Sequence, residues 1–331
     1  MKISLLLWFL CVMLFSARAV TRSQLSSSLN AKAVLLTDVR TGSVLYSRRA
    51  DVPYPPASTV KLMTALLVWE RTRLMGEIRV VRSDTRVEPS HVPLRVGEVV
   101  SVYDMTRTLL VGSDNDSAMA LGRHVSGSNE AFLTLMNRRA LSLGCQNTVF
   151  KTPNGLPASG QVTTCSDMMK IFNAVMQVPE LRKMCTTKGF TLRTAVGAQW
   201  VKNHNKLLGN YLGMGPAKTG WTYASRHTYA ASVTRGGREL RLTLLNSSNK
   251  WTDAKLLFDY GFANIPSISN PAVAVQEAPR HASGTVHRVK RGETLSSISR
   301  RHGVSVQALS RLNNISNPNV IRAGMVLQIP H

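Results

Sequence analysis

The sequence predicts an α+β domain, in which an antiparallel sheet is flanked by helices, followed by a small second unit. Four β-rich segments support the sheet, at 31–38, 43–48, 228–234 and 239–245. Turn residues Arg40-Thr-Gly42 and Arg235-Gly-Gly-Arg238 divide them into an early and a late hairpin. Helical patterns fill the middle of the chain and return near 252–260. Strands early and late with helices between them favour one sheet layer covered by helices.

The first nineteen residues have the three-part layout of a secretory signal. Lys2 precedes the apolar stretch 3–15, and Ala17-Arg-Ala19 supplies the small residues that precede a cleavage point. The stretch is shorter than the ~20 residues that a membrane-spanning helix needs. We therefore expect residues 1–19 to be removed on export to the periplasm or cell wall, which would leave no transmembrane anchor.

Length and composition favour a folded, strongly basic protein. The chain has 331 residues, of which 44% are hydrophobic, so it can build a substantial core. Its formal net charge of +23 indicates an anionic neighbourhood. Export argues against nucleic acid as the partner and favours cell-wall polymers or acidic lipids.

Three cysteines, Cys145, Cys165 and Cys185, remain once the signal and its Cys11 are removed. An odd number permits at most one internal disulfide, and free thiols are the simpler expectation. Neither Cys-x-x-Cys nor His-Glu-x-x-His occurs, so the sequence predicts no metal site, and it gives no sign of a cofactor.

Three short strings in one order point to acyl-transfer chemistry: Ser58-Thr-Val-Lys61, Ser113-Asp-Asn115 and Lys218-Thr-Gly220. They are typical of a serine nucleophile, a proton relay and a carboxylate clamp. Context matters, because a second Ser-x-x-Lys occurs at 247–250. Ser58, unlike Ser247, precedes a mostly apolar run, which predicts a position at the start of a buried helix. Helix capping is the alternative role for such a serine.

The spacing within the first string suggests how the serine would be activated. A hydroxyl is a weak nucleophile until a base removes its proton. Ser58 and Lys61 are at positions i and i+3, so they share one helix face and Lys61 is the expected base. Burial and a second cation, Lys218, would keep Lys61 neutral and able to accept the proton.

Longer strings around these motifs resemble successive landmarks of the low-molecular-mass D-alanyl-D-alanine carboxypeptidases, which are penicillin-binding serine peptidases of family S11. The strings are Ala57-Ser-Thr-Val-Lys-Leu-Met-Thr64, Leu110-Val-Gly-Ser-Asp-Asn-Asp-Ser-Ala-Met-Ala120, Phe150-Lys-Thr-Pro-Asn-Gly-Leu156 and Ala217-Lys-Thr-Gly-Trp-Thr222. The resemblance covers about residues 25–263. It implies a β-lactamase/transpeptidase-like fold, removal of the terminal D-alanine from peptidoglycan stem pentapeptides, and covalent inhibition by β-lactam antibiotics.

The resemblance also implies roles for the relay residues. Ser113 would pass a proton between Lys61, Lys218 and the leaving amine. Asn115 would hydrogen-bond the substrate's peptide or the lysine. Helix capping is again the structural alternative, and both roles can coexist.

The third string is expected on an edge strand beside the nucleophile. Lys218 and Thr219 would meet the substrate's terminal carboxylate, while Gly220 leaves room for its backbone. The backbone N–H groups of Ser58 and Trp221 would form the oxyanion hole. Many relatives have a histidine where this chain has Trp221, and an arginine about where it has Lys250. Lys250 is therefore a candidate substrate-binding residue. It would offer the carboxylate a single charged nitrogen, whereas arginine offers a bidentate guanidinium.

The segment 285–330 resembles a LysM module, a peptidoglycan-binding βααβ unit, and residues 264–284 read as a linker rich in turn signals. From Thr285 onward the chain carries seven Lys or Arg residues against the single Glu293. The resemblance implies that this unit binds wall glycan and tethers the enzyme. A folding cap without binding function is the alternative.

Three further functions remain open at this stage. A DD-endopeptidase acting on cross-linked peptidoglycan would share every motif. A class A β-lactamase needs a glutamate to activate the deacylating water, and only Glu130 and Glu180 lie between Asn115 and Lys218. An inactive wall-binding protein would use the LysM-like unit alone, which the intact motifs argue against.

Overall fold

The computed structural model describes residues 21–85, 87, 92–265, 286–313, 315, 321 and 323–329. The chain divides into two compact units, Met1–Ile265 and Pro266–His331, and each is described by itself. The predicted signal peptide at 1–19 lies outside the described residues, as does the predicted linker beyond residue 265. No helix in the described part of the chain has the length and apolar character that a membrane crossing requires.

The described residues form eleven strands, ten α-helices and two short 3₁₀ helices, Ala57–Val60 and Arg82–Asp84. The strands are β1 (Ala33–Asp38), β2 (Val44–Arg48), β3 (Glu77–Arg79), β4 (Val99–Ser101), β5 (Gly189–Thr194), β6 (Gly197–Lys202), β7 (Met214–Thr222), β8 (Arg226–Arg235), β9 (Arg238–Ser247), β10 (Val286–Arg288) and β11 (Val326–Gln328). The helices are α1 (Arg22–Ser28), α2 (Lys61–Thr72), α3 (Val102–Val111), α4 (Asn115–Ser126), α5 (Asn129–Ser142), α6 (Cys165–Met176), α7 (Pro179–Thr186), α8 (Lys250–Asn264), α9 (Leu295–His302) and α10 (Val306–Leu312).

Five strands of the first unit form one antiparallel sheet in the order β2-β1-β9-β8-β7. The early hairpin joins the late one through β1 and β9, where Leu36 lies opposite Leu242. Strand β7, which carries the Lys-Thr-Gly string, is at the edge of this sheet. The predicted α+β class and antiparallel sheet are confirmed.

Helices cover both faces of the sheet. On one face α8 packs through Leu257 and Phe258 against Leu242 and Tyr229. On the other face lies α2, in which every residue from Lys61 to Val68 is buried. A helix buried on all sides is a core helix. The start of α2 is consequently held on every side by the rest of the unit.

The middle of the chain is less helical than the sequence pattern predicts. Strands β3 and β4 pair with each other, and so do β5 and β6, as two small antiparallel ribbons. The β5–β6 hairpin packs Phe190, Leu192 and Val201 against Val111 of α3. Its apolar residues alternate over only a few positions, which is too short a stretch for a clear period.

The second unit has the element order β10, α9, α10, β11, which is the predicted βααβ arrangement. Its two strands are antiparallel, with His287 opposite Leu327. Its small core contains Leu295, Ile298 and Leu309 from the helices, together with Leu327. The short helices alone could not bury these side chains, so the unit depends on all four elements.

Candidate active site

Ser58 lies in a single 3₁₀ turn, Ala57–Val60, which leads directly into α2. The turn is tied to the sheet by Thr228 of β8, whose hydroxyl donates to the carbonyl of Pro56 at 2.8 Å. Thr59, within the turn, donates to the same carbonyl at 2.6 Å. The serine therefore has a rigid position at the entrance of a core helix, although the turn that carries it is tighter than the α-helix that the motif predicts.

Lys61 makes three polar contacts that fix the position of its terminal nitrogen. Its Nζ lies 3.0 Å from Ser58 Oγ, 2.8 Å from Asn115 Oδ1 and 2.7 Å from the carbonyl of Asn154. The amide and backbone oxygens can only accept, so they take two N–H bonds. In a neutral amine the remaining lone pair then faces the hydroxyl of Ser58.

The surroundings of Lys61 favour that neutral form. The side chain is fully buried, and burial lowers its pKa well below the usual value of 10.5. The charge of Lys218 lowers the pKa further, while Asp114 acts in the opposite direction. The physical conditions for a lysine base are therefore present.

Ser113 and Lys218 form a second pair beside the first. Lys218 Nζ donates to Ser113 Oγ at 2.7 Å and to its neighbouring carbonyl of Thr219 at 3.1 Å. Burial, with the charge of Lys250, lowers the pKa of Lys218 to about 7. Ser113 adopts a left-handed backbone with φ of 59°, a conformation that costs free energy in a non-glycine residue.

Asn115 is the first residue of α4, and its side chain bridges two segments. Its Oδ1 accepts from Lys61, and its Nδ2 donates to the carbonyl of Val87 at 3.1 Å. The neighbouring Asp114, not Ser113, caps the helix by accepting from the Ser117 amide at 2.6 Å. Capping is thus performed by Asp114, which leaves the hydroxyl of Ser113 available to Lys218.

Two glycines allow the backbone to close around Ser58. A Cβ built on Gly220 of β7 would lie 2.8 Å from Ser58 N and 2.3 Å from Thr228 Oγ1. A Cβ on Gly155 would lie 2.0 Å from the carbonyl oxygen of Ala57. A side chain at either position would displace the turn that carries the nucleophile.

Ser58 opens onto a cavity of about 280 Å³. The structure brings the predicted substrate-binding residues together at its wall, which includes Thr219, Gly220, Trp221 and Lys250. Trp221 is 45% exposed and lines the cavity. Ser247, the serine of the second Ser-x-x-Lys string, instead donates to Asp253 at 2.6 Å.

Sequence reasoning missed several groups at this site. One is Asn154, which contacts Lys61 through its backbone oxygen. His204, Lys206, His227 and Trp251 also line the cavity. None belongs to a recognised motif, and only the strand and loop arrangement brings them to Ser58.

Neither Glu130 nor Glu180 is among the cavity residues, and both are exposed. Beside Ser58, Asn154 offers Lys61 its backbone carbonyl. The three described cysteines, Cys145, Cys165 and Cys185, are free and fully buried. Over the described ranges no three His, Cys, Asp or Glu side chains are grouped so that they could hold a metal ion.

Comparison with known families matches both units of the chain. Residues 18–249 match the model of the S11 peptidases, described as D-alanyl-D-alanine carboxypeptidase. Residues 287–330 match the LysM domain. The first match spans more than half of the chain.

Individual relatives agree with the family match. The D-alanyl-D-alanine carboxypeptidase DacB2 of Mycobacterium tuberculosis is 32% identical over 72% of this chain and 84% of its own. A D-alanyl-D-alanine endopeptidase of Pseudomonas aeruginosa is 32% identical over 69% of this chain and 75% of its own. A crystal structure of a D-alanyl-D-alanine carboxypeptidase from Mycobacterium tuberculosis superposes with a TM-score of 0.68 at 31% identity, over 72% of this chain and 93% of that one.

Proposed function

The chain belongs to the D-alanyl-D-alanine carboxypeptidase family of serine peptidases and contains a LysM domain, and we propose that it removes the terminal D-alanine from peptidoglycan stem pentapeptides through an acyl-enzyme on Ser58. The observation that carries the proposal is the contact set of Lys61. Two acceptors take N–H groups of Lys61, so that in the neutral amine the lone pair would face the serine proton.

Acylation follows from these positions. Ser58 Oγ attacks the carbonyl carbon of the penultimate D-alanine as its proton passes to Lys61 Nζ. The backbone N–H groups of Ser58 and Trp221 would hold the resulting oxyanion. The C–N bond then breaks, and the leaving amine takes a proton through Ser113, which is hydrogen-bonded to Lys218. The product is an ester on Ser58 and free D-alanine.

Cations at and directly behind the cavity wall would recognise the substrate's terminal carboxylate. Lys218, the hydroxyl of Thr219 and Lys250 are the proposed partners, and no aspartate or glutamate is among the described residues that line the cavity. Substrate would lie along the edge strand β7, where Gly220 leaves space for its backbone. A β-lactam carries a strained amide and a carboxylate, so it would acylate the same serine.

Water must then hydrolyse the ester. Class A β-lactamases use a glutamate for this step, and this cavity has none among its described lining residues. We therefore expect the ester formed from a β-lactam to persist, which makes the protein a penicillin-binding enzyme and not an efficient lactamase.

The remaining parts of the proposal concern location. We propose that residues 1–19 direct export, and that residues 285–330 bind peptidoglycan glycan so that the catalytic unit stays close to its substrate. The net positive charge of the LysM segment would add attraction to anionic wall polymers. Periplasm or cell wall is the proposed location.

A DD-endopeptidase is the second candidate, because the Pseudomonas aeruginosa relative has that name. Both reactions cleave a bond on the carboxyl side of D-alanine, and they differ in the leaving group. An endopeptidase must accommodate the cross-bridge beyond the scissile bond, whereas a carboxypeptidase releases a single D-alanine.

Two assays test the proposal. A fluorescent penicillin should label the wild type stably and leave Ser58→Ala unlabelled; rapid loss of the label would indicate a lactamase, and absence of labelling an inactive binder. Release of D-alanine from a soluble pentapeptide, compared with cleavage of a cross-linked muropeptide dimer, separates carboxypeptidase from endopeptidase. Labelling of a serine other than Ser58 would refute the assignment.

A further inference from the structure

Lys250 is a buried cation with an unusual set of partners. It is the first residue of α8, it is only 6% exposed, and its Nζ lies 4.5 Å from the centre of the Trp251 ring. None of the ion pairs found among the described residues includes Lys250. Burial and the nearby charge of Lys206 lower its pKa to about 8. The ammonium therefore lines the cavity without an internal counter-charge.

The hydrogen-bond partner of Lys250 is His227, whose Nδ1 lies 2.8 Å from Lys250 Nζ. An ammonium can only donate, so Nδ1 must be the acceptor, and the ring proton is on Nε2. Burial, Lys250 and Lys206 lower the pKa of His227 to about 4, so the ring is neutral at pH 7. His227 is held on β8 between Trp221 of β7 and Ser247 of β9.

We propose that His227 is a positioning residue that aims the Lys250 ammonium at the terminal carboxylate of the substrate. The inference rests on the proposed function, in which Lys250 binds that carboxylate. The observation specific to this inference is the hydrogen bond between Lys250 and His227. Among the described residues, neither side chain has another side-chain hydrogen-bond partner.

A neutral acceptor suits this task better than an acid would. A lysine side chain is flexible and has a single charged point, so it needs a partner to hold one direction. A carboxylate in the place of His227 would hold the ammonium but would also neutralise it and compete with substrate. The imidazole orients Lys250 and leaves its full charge for the ligand.

The titratable groups around Lys250 determine how the hydrogen bond between Lys250 and His227 depends on pH. Lys206, His204 and His227 line the cavity beside it. Lys218 lies on β7, the strand that pairs with β8, which carries His227. His204, whose pKa is lowered to about 4, is neutral at pH 7, as His227 is. The histidines therefore keep one charge state over the range in which Lys250 loses its proton.

The test is a double-mutant cycle on the full chain, with D-alanine release from a soluble acylated D-Ala-D-Ala peptide as the readout. His227→Ala should lower kcat/KM about tenfold, mainly through KM, which corresponds to about 1.4 kcal/mol. His227→Gln, whose side-chain oxygen can accept from Lys250, should recover most of the loss. In the Lys250→Ala background, His227→Ala should change kcat/KM by less than about twofold.

The outcomes separate positioning from mere folding support. His227→Glu is the charge control: it can hold the ammonium but neutralises it, so KM should rise at least as much as in His227→Ala. Additive losses in the cycle, or a loss in kcat with unchanged KM, would overturn the positioning role. An unaffected His227→Ala variant would overturn it as well. If the wild type releases no D-alanine, the proposed function fails, and the positioning role fails with it.

Discussion

Replacing Gly155 by alanine should disturb the nucleophile through the backbone alone. Gly155 has φ of 86°, and a Cβ there would lie 2.0 Å from the carbonyl oxygen of Ala57 and 3.0 Å from Ser58 N. A left-handed conformation costs a non-glycine residue about 1–2 kcal/mol. Overpacking against a fixed backbone adds about 1–3 kcal/mol. Gly155→Ala should therefore lower the free energy of unfolding by roughly 2–5 kcal/mol.

A second glycine in the same loop supplies the matched control. Gly160 has φ of 76°, but a Cβ there would come no closer than 3.8 Å to any neighbour, the Lys151 side chain. Gly160→Ala therefore carries the backbone cost of about 1–2 kcal/mol without the overlap. The difference in the free energy of unfolding between the two variants therefore measures the effect of the overlap with the carbonyl of Ala57, which precedes Ser58.

Calorimetric unfolding of the full chain and the rate of labelling by a fluorescent penicillin measure the two effects. Displacing the Ser58 amide removes an oxyanion donor, and such a loss lowers the rate by about 10²–10³. Labelling should thus slow strongly in Gly155→Ala and stay near wild type in Gly160→Ala. Equal stability and equal labelling rates in the two variants would refute the reasoning.

Three further predictions follow from the site and the second unit. Lys61→Ala should lose β-lactam labelling to nearly the same extent as Ser58→Ala, because base and nucleophile act as a unit. If Lys61→Ala keeps most of the labelling rate, Lys61 is not the base. In the wild type, the Lys250 ammonium loses its proton above pH 8, because its pKa is lowered to about 8. Lys250→Arg should keep its charge there, so the ratio of the variant's kcat/KM to the wild-type value should rise above pH 8. A flat ratio from pH 6 to 10 would contradict this role of Lys250. Deleting residues 285–331 should abolish pelleting with insoluble peptidoglycan and spare activity on a small soluble peptide, and unchanged pelleting at physiological salt would show that the unit does not bind the wall.

The three motif strings could be predicted from the sequence because each is defined by residue types at short spacings. Their meeting point could also be anticipated, since Ser58 precedes a core helix and the Lys-Thr-Gly string lies on a strand. The two strands of the early hairpin pair with each other, as do the two strands of the late hairpin, as their patterns indicate. Residue types at short spacings and clear hydrophobic patterns were enough to predict these parts of the fold and site.

Other features depend on atoms or distances that no local pattern records. The carbonyl of Asn154 contacts Lys61 through the main chain, so its residue type carries no signal. His227 reaches Lys250 only because the register of β8 and β9 and the start of α8 bring them together. The strained backbone of Ser113 likewise follows from tertiary packing, since a serine has no local preference for it.

The three buried cysteines also offer a practical route for spectroscopy. Burial raises the pKa of the Cys145 and Cys185 thiols to about 12, and it raises that of Cys165 as well. Thiolate is the reactive form, so maleimide dyes at neutral pH should pass over all three in the folded protein. A single cysteine introduced on each unit would then accept a fluorophore without first removing the native ones. Energy transfer between two such dyes would then measure the distance between the catalytic unit and the LysM domain, with and without added peptidoglycan.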